Sequence, residues 1–434
     1  MSPRATTPIP TAPPGGEATL PTWLPGVAAV GANGKPPASS YSPFIVGMRC
    51  LSTGELFPFG PVDVLPPGCQ SYVEIVYDYP AITTALMRAM WESNRSGDCS
   101  IWRYGPLLPL SRPPRITLPV GWTPLLEVEG DYGVHLHLKD ETRNPSGSFK
   151  DRASLMAVTA ALAEGRQAIA VASTGNAASS LACLAANAGL RARAYVPENA
   201  PQPKLVQIQM HGAELVRVPG AYQEAFLACR EQCQEPGWMN RSTGLNAVTR
   251  EGKKTCSFEI CEQLGWKVPD WVFVAVGNGN IISGMWKGFV ELKAVGLTDS
   301  LPRMVAVQSR SCNAIAEAVR LHRRQRGSDA PSSERSIADS IQVAFPQDHV
   351  AAVRAVLESH GEAFEVDNHE IVAAIRTLAE RWGMFAEPAA AASYAGFHRL
   401  GQAGKLAPGE RVACVITGHG LKDTKAAGLI VENR

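Results

Sequence analysis

The chain has almost no imbalance of charge: 41 lysines and arginines stand against 40 aspartates and glutamates, a formal net charge of +1. That leaves no electrostatic footprint for nucleic acid and none for an anionic membrane surface. No stretch approaches the ~18 to 20 consecutive apolar residues needed to span a bilayer. No G-x-G-x-x-G follows the first strand of a βαβ unit, so a dinucleotide-binding oxidoreductase lacks support. The ten cysteines form no regular framework, and several sit in apolar patterns such as Leu181-Ala182-Cys183-Leu184. Buried free thiols in a reducing cytosol are the expectation. Cys229 and Cys233 are four apart on a predicted helix, but no histidine pair accompanies them, and no metal site is expected there.

What is present reads as an ordinary soluble protein, 45% hydrophobic and 19% charged. Its 434 residues exceed what one core usually serves, so two lobes are expected. Residues 1–40, rich in proline and glycine, offer no periodic apolar face and read as a disordered tail without a signal-peptide core. Residues 41–115 read as a small β unit and a helical linker. Cys50 and Cys69 alone cannot complete a four-ligand zinc site there. From residue 116 to 434, short apolar runs alternate with helical stretches. Gln167–Ala172, Ala192–Val196, Glu214–Val218, Trp271–Val276, Met304–Gln308 and Val412–Ile416 are strand candidates. Such alternation implies βαβ units and parallel sheets, with the smaller lobe around residues 150–250. Ligands in such sheets sit beyond the carboxyl ends of the strands.

Four loops fall at those ends. In Asn144-Pro145-Ser146-Gly147-Ser148-Phe149-Lys150-Asp151-Arg152, a turn runs into a helix start with Lys150 in the first helical turn. The positive helix end lowers the pKa of a lysine placed there, favouring the neutral amine that forms a Schiff base. Ser173-Thr174-Gly175-Asn176 follows the Gln167–Ala172 strand, and its amides and hydroxyls suit an anion or a planar cofactor edge. One capping residue would suffice for a plain helix start. Gly277-Asn278-Gly279-Asn280 lets backbone amides approach a phosphate, although a glycine loop alone also describes many tight turns. Thr417-Gly418-His419-Gly420 supplies a hydroxyl, with His419 read as structural or gating rather than as a base.

Taken together, these loops resemble the fold-type II pyridoxal-phosphate (PLP) enzymes, and most closely the threonine synthase family. The resemblance spans about residues 100–425. It also includes Trp102-Arg103-Tyr104, Gly121-Trp122-Thr123-Pro124-Leu125, Lys139-Asp140-Glu141, Glu251-Gly252-Lys253-Lys254-Thr255 and Phe385-Ala386-Glu387-Pro388-Ala389. It implies an α/β fold of the tryptophan synthase β type, with two open, twisted, mostly parallel sheets flanked by helices. It implies that Lys150 holds PLP and shuttles protons, and that Asn176 bonds the cofactor's phenolic oxygen. Gly277, Asn278, Gly279 and Asn280 would cradle the cofactor phosphate, Thr417 would face the pyridine nitrogen, and Ser173 and Thr174 would bind the substrate carboxylate.

Three departures accompany it. The family's Gly-Asn-x-Gly-Asn phosphate loop becomes Gly277-Asn278-Gly279-Asn280-Ile281. The segment Asn-Ser-x-Asn-Pro-x-Arg, which helps bind a substrate phosphate, aligns with Thr243 to Thr249, so Gly244 and Thr249 replace its serine and arginine. Ser242 and Arg250, which lie adjacent, are the candidate replacements. The N-terminal unit, a degenerate zinc ribbon in this light, keeps only Cys50 and Cys69 and is expected to bind no metal. The expected function is a PLP-dependent lyase or synthase acting on an amino acid with a β or γ leaving group, as in converting O-phosphohomoserine and water to threonine and phosphate. A cysteate synthase-like β-replacement enzyme, a serine or threonine dehydratase-like enzyme, and a specialised-metabolism relative are the alternatives on the same scaffold. A non-catalytic PLP-binding regulator is disfavoured by the joint presence of Lys150, Asn176 and Thr417. A cytoplasmic homodimer is the expected state.

Overall fold

The computed structural model describes residues 40–69, 71–200, 202–324 and 334–432. The tail expected over residues 1–40 lies, apart from Ser40, outside the described residues. The first sheet is small and antiparallel: β1 (Ile45–Cys50) pairs with β2 (Leu56–Phe57) on one side and β3 (Val73–Tyr77) on the other. Helix Tyr79–Ser96 follows, started by Asp78, whose side chain accepts from the Ala81 amide, and stopped by Gly97 in the left-handed region. Cys50 and Cys69 meet at this sheet, both against Ser71. Among the described residues, no group of three or more His, Cys, Asp or Glu side chains is placed to hold a metal.

Two larger sheets follow. β4 (Leu125–Glu129) and β5 (His135–Asp140) begin one of them. The chain then leaves it to build a four-stranded, all-parallel sheet from β6 (Ala168–Ala172), β7 (Arg191–Pro197), β8 (Glu214–Val218) and β9 (Trp238–Asn240), in the order β8-β7-β6-β9. Those strands lie within the 150–250 stretch assigned from sequence to the smaller lobe. Finally β10 (Trp271–Ala275), β11 (Arg303–Ser309), β12 (Glu362–Val366) and β13 (Arg411–Ile416) complete the first sheet, in the order β12-β11-β10-β13-β5-β4. All its pairings are parallel except that of β4, an antiparallel edge strand. Buried on both faces, β6 and β10 read as unbroken apolar runs. By contrast β5, β9 and β12 carry polar residues or are short, and the apolar-run criterion does not find them.

Helix Val248–Gln263 runs through the interior although its sequence is polar. It is accommodated by close approach and by pairing. A Cβ on Gly252 would meet the Arg152 carbonyl oxygen at 1.9 Å, so only glycine lets helix Lys150–Ala163 pack this near. Arg152, wholly buried, donates to Glu141 Oε2 at 2.7 Å and to Glu259 Oε1 at 2.6 Å, and Lys139 Nζ donates to Glu259 Oε2 at 2.8 Å. About two turns away on the same helix, Glu251 meets Lys254, Lys287 and the Tyr77 hydroxyl. Buried charges persist only when paired and hydrogen-bonded in this way. The two clusters pin the N-terminal sheet and the Lys150 helix to one central element. Among the described residues no helix is long and apolar enough to cross a membrane.

Candidate active site

The carboxyl ends of β6, β10 and β13 open onto one cavity of about 1010 Å³ lying between the two parallel sheets. Each strand delivers one loop. Ser173, Thr174 and Gly175 follow β6 and lead into helix Asn176–Ala188; Gly277 to Gly279 follow β10 and lead into helix Asn280–Ala294; Thr417 follows β13. All of these residues line the cavity, as do Asn176, Asn278, Asn280 and Lys150. Sequence residues some 270 apart are brought together because parallel strands all point the same way.

Lys150 is the first residue of its helix, and backbone bonds fix its position: the Phe149 amide donates to the Thr417 carbonyl at 2.8 Å, and Ser148 bridges Gly418. Burial, with Arg241 adding repulsion and Glu387 opposing both, lowers its ammonium from the ordinary 10.5 to about 8. The amine is therefore poised to be neutral at slightly alkaline pH, which is what a nucleophilic lysine needs. Asn176 Nδ2 donates to Glu387 Oε1 at 2.8 Å and Oε2 at 3.0 Å. Burial raises the Glu387 carboxyl, against the pull of Asn176, Lys422 and Lys150. Ser173 Oγ accepts from the Gly175 amide at 3.1 Å, closing the turn that presents Thr174.

The glycine loop is built for close approach to an anion. Gly279 has φ +86°, and a Cβ there would meet the Ala352 Cβ at 2.7 Å. Helix Asn280–Ala294 starts directly after it, so its first amides have no intrahelical acceptors. Asn278 is held by the Gln347 amide, which donates to its Oδ1 at 3.2 Å. Asn280 is tied on both sides: its Nδ2 donates to Asp348 Oδ2 at 2.8 Å and its Oδ1 accepts from Lys253.

One sequence assignment is corrected. Arg250 does not line the cavity. It is buried beneath, with Nη2 donating to Asp348 Oδ1 at 2.5 Å and Nη1 to the Val73 carbonyl at 2.9 Å. The helix register explains this: Lys253, three residues on, points to the cavity, and Arg250 points to the N-terminal sheet. Gly244 and Thr249 are likewise absent from the cavity wall. His419 accepts the Leu421 amide on its Nδ1 at 3.1 Å, a capping role. Ser242, a candidate for the missing serine, and Lys253 do line the cavity, and the residues that sequence reasoning left unassigned are Glu387, Arg241 and the segment 339–345. Glu387 stood in a segment noted for resemblance, and Arg241 follows a strand too short to register.

A partly buried amine of lowered pKa, a helix start with free amides behind a loop that excludes a side chain, and a hydroxyl opposite them fit a pyridoxal phosphate. Residues 116–418 match the family described as pyridoxal-phosphate dependent enzyme. The chain belongs to that family. It is 36% identical over 385 residues to the threonine synthase of Methanocaldococcus jannaschii, covering 87% of this chain and 93% of that one. With the threonine synthase of Mycobacterium tuberculosis strain H37Rv it shares 36% over 328 residues, 72% of this chain and 88% of the relative. The processed threonine deaminase isoform 2 of Solanum lycopersicum superposes with a TM-score of 0.61 at 19% identity, over 87% of this chain and 99% of that one. A PLP-dependent aspartate racemase superposes with a TM-score of 0.56 at 24% identity, over 68% and 90%. These two structures speak to the fold. Within its family the chain is a threonine synthase-like lyase that uses PLP.

Proposed function

We propose that the protein converts O-phosphohomoserine and water to threonine and phosphate. The observation that carries the reading is Lys150, an amine lowered to about 8 inside a cavity whose other walls are the glycine loop, Asn176 and Thr417. Identity with threonine synthases over most of the chain supports the choice of substrate.

In this reading Lys150 would anchor PLP, Gly277 to Asn280 would hold its phosphate, Asn176 its phenolic oxygen and Thr417 its pyridine nitrogen. The cofactor, when bound, supplies an electron sink for carbanion chemistry at the amino acid's α-carbon. Ser173 and Thr174, through hydroxyls and amides, hold the substrate carboxylate and so fix the α-carbon beside Lys150. The neutral Nζ of Lys150 takes the α-proton and returns it later in the cycle, a role that requires a pKa near the working pH.

A cytoplasmic homodimer completes the proposal. All ten cysteines are free thiols, six of them buried, which suits a reducing compartment. Light scattering tests the assembly. The activity is tested by incubating purified protein with O-phosphohomoserine and assaying threonine and phosphate together. The cofactor is tested by borohydride reduction and peptide mass analysis. A yellow protein carrying PLP on Lys150 is expected, and a colourless one without that adduct after reconstitution sinks the reading.

A further inference from the structure

Arg241 directly follows β9, is wholly buried and lines the cavity. Its Nε donates to Ser154 Oγ at 3.1 Å and its Nη1 to Thr243 Oγ1 at 3.3 Å, both neutral hydroxyls. Its Nη2 has no acceptor. The hydroxyl of the next residue, Ser242, is also buried, also lines the cavity and also has no partner. A guanidinium does not give up its proton in a protein; Asp151 acts on this one through space, but among the described residues no carboxylate pairs with it, and a buried cation left so is costly. Because these unpaired groups face the cavity, a ligand entering it can complete them.

Lys253 adds to the imbalance. It is buried, its Nζ donates to Asn280 Oδ1, and burial together with repulsion from Lys150 and Arg241 lowers its ammonium strongly. The two side chains have different partners. Lys253 reaches the glycine loop through Asn280, whereas Arg241 is tied to Ser154, one turn beyond Lys150 on the same helix. A cofactor phosphate at the glycine loop leaves the Arg241 end without an anion.

We propose that Arg241, with the Ser242 and Thr243 hydroxyls, recognises an anionic group carried on the substrate's side chain, a phosphate monoester or a like tetrahedral oxyanion. The proposal rests on the chain being a PLP lyase and specifies which leaving groups it accepts. It also accounts for the departures at Gly244 and Thr249. Gly244, at φ +87°, leaves no room for a side chain because a Cβ would meet Tyr72 Cε2 at 2.9 Å. Thr249 is buried and donates to the Asn246 carbonyl at 2.8 Å. Arg241 restores, from two residues upstream of the family segment, the guanidinium that the segment itself lacks. Amino acids with neutral leaving groups, such as a hydroxyl or an acetyl ester, leave it unpaired. They should be disfavoured by about 10- to 150-fold, the range for one charge-assisted bond.

The test uses the PLP-loaded protein, with Arg241→Met, Arg241→Lys and Ser242→Ala, and inorganic phosphate and O-phosphohomoserine as probes. Phosphate binding is read by calorimetry, substrate by KM and kcat separately, and cofactor by absorbance titration. Arg241→Met should weaken phosphate and raise KM about 10- to 150-fold while PLP affinity stays within about threefold. Arg241→Lys should recover part of the loss, and Ser242→Ala, which leaves the guanidinium in place if Arg241→Met fails to fold, should weaken phosphate several-fold. If Arg241→Met loses PLP instead, the guanidinium serves the cofactor and the proposal is wrong. Unchanged phosphate binding in both Arg241→Met and Ser242→Ala, or no saturable binding in the wild type, overturns it too. Arg241-dependent phosphate binding without turnover of O-phosphohomoserine would retain the subsite and discard the substrate proposed above.

Discussion

Asn176 hands its side-chain Nδ2 to both oxygens of Glu387, at 2.8 and 3.0 Å, and so joins the helix that follows β6 to the helix start that packs on β10 and β13. The pair spans the cleft between the two parallel sheets. Glu387 also sits where Gly418 leaves no room: a Cβ on Gly418 would lie 2.4 Å from Glu387 Oε1. The carboxylate thus fixes the amide proposed to meet the cofactor's phenolic oxygen, and links it to the Thr417 loop.

Replacing Glu387 by alanine frees the Asn176 amide and opens space beside Gly418. Loss of one charged hydrogen-bonding partner is worth roughly 1.5 to 3 kcal/mol, so kcat should fall about 10- to 150-fold. The visible absorption of the bound cofactor should shift at the same time, because its phenolic oxygen loses an oriented donor. Steady-state kinetics and an absorbance spectrum decide; wild-type kcat with an unchanged spectrum removes Glu387 from the site.

The pH response of cofactor loading follows from Lys150. With its pKa lowered to about 8, the amine is ~9% neutral at pH 7, against ~0.03% for an ordinary lysine of pKa 10.5. The rate at which cofactor-free protein takes up PLP should climb with pH and level off above about 8. Glu387 raises the Lys150 value, so Glu387→Gln should move that midpoint to lower pH. The sign for stability is also set: the unfolded chain holds the Lys150 proton up to higher pH than the folded one. This residue's destabilising contribution is therefore largest below about 8, shrinks as the pH rises, and is gone above about 10.5. Stopped-flow absorbance over pH 6 to 10 measures the loading profile, and a midpoint near 10 contradicts the geometry.

The parts of this site legible in the sequence were those carried by a strand end and a loop of special residues: Lys150, Ser173 to Asn176, Gly277 to Asn280 and Thr417. Their chemistry is local, since a turn, a helix start and a hydroxyl can be read from neighbours in the chain. Glu387 and Arg241 were not, because what brings them to the site is the company they keep in space. Lys253 and Arg250 both lie in a polar helix, and only its packing reveals that the first faces the cavity and the second Asp348. The fold divides the same way. Apolar runs exposed β6, β10 and β13, while β5, with His135, His137 and Lys139, hid an interior strand behind residues whose partners are remote.

Arg152 tests the buried network behind the site. Burial alone would raise the Glu259 carboxyl, but Arg152 and Lys139 bring it down to about 2. Arg152→Met leaves Glu141 and Glu259 buried with too few positive partners, and removing one partner of such a pair costs about 3 to 5 kcal/mol. The urea midpoint should fall accordingly, and Arg152→Lys should not restore it, because a single ammonium cannot serve two carboxylates as a planar fork does. Since the folded pKa of Glu259 lies below its ordinary 4.5, the wild type should lose this stabilisation as the pH falls from about 4.5 towards 2. Equilibrium unfolding at pH 7 and pH 4 measures both effects.

Gly279 tests the glycine loop. Its φ of +86° lies in the region that an L side chain enters at a cost of roughly 1 to 2 kcal/mol, and an added Cβ would stand 2.7 Å from the Ala352 Cβ and 2.9 Å from the Asp348 carbonyl oxygen. Asp348 also holds Asn280 and Arg250, so a shift forced at Gly279 displaces the amides at the start of helix Asn280–Ala294. Those amides are the groups proposed to meet the cofactor phosphate. Gly279→Ala should therefore weaken PLP binding by at least tenfold in an absorbance titration, while circular dichroism of the cofactor-free protein stays near that of the wild type. Ala352→Gly relieves the nearer of the two contacts, and combining it with Gly279→Ala should recover part of the affinity. If the single variant binds PLP as the wild type does, the phosphate is held elsewhere in the cavity and the loop's role must be reassigned.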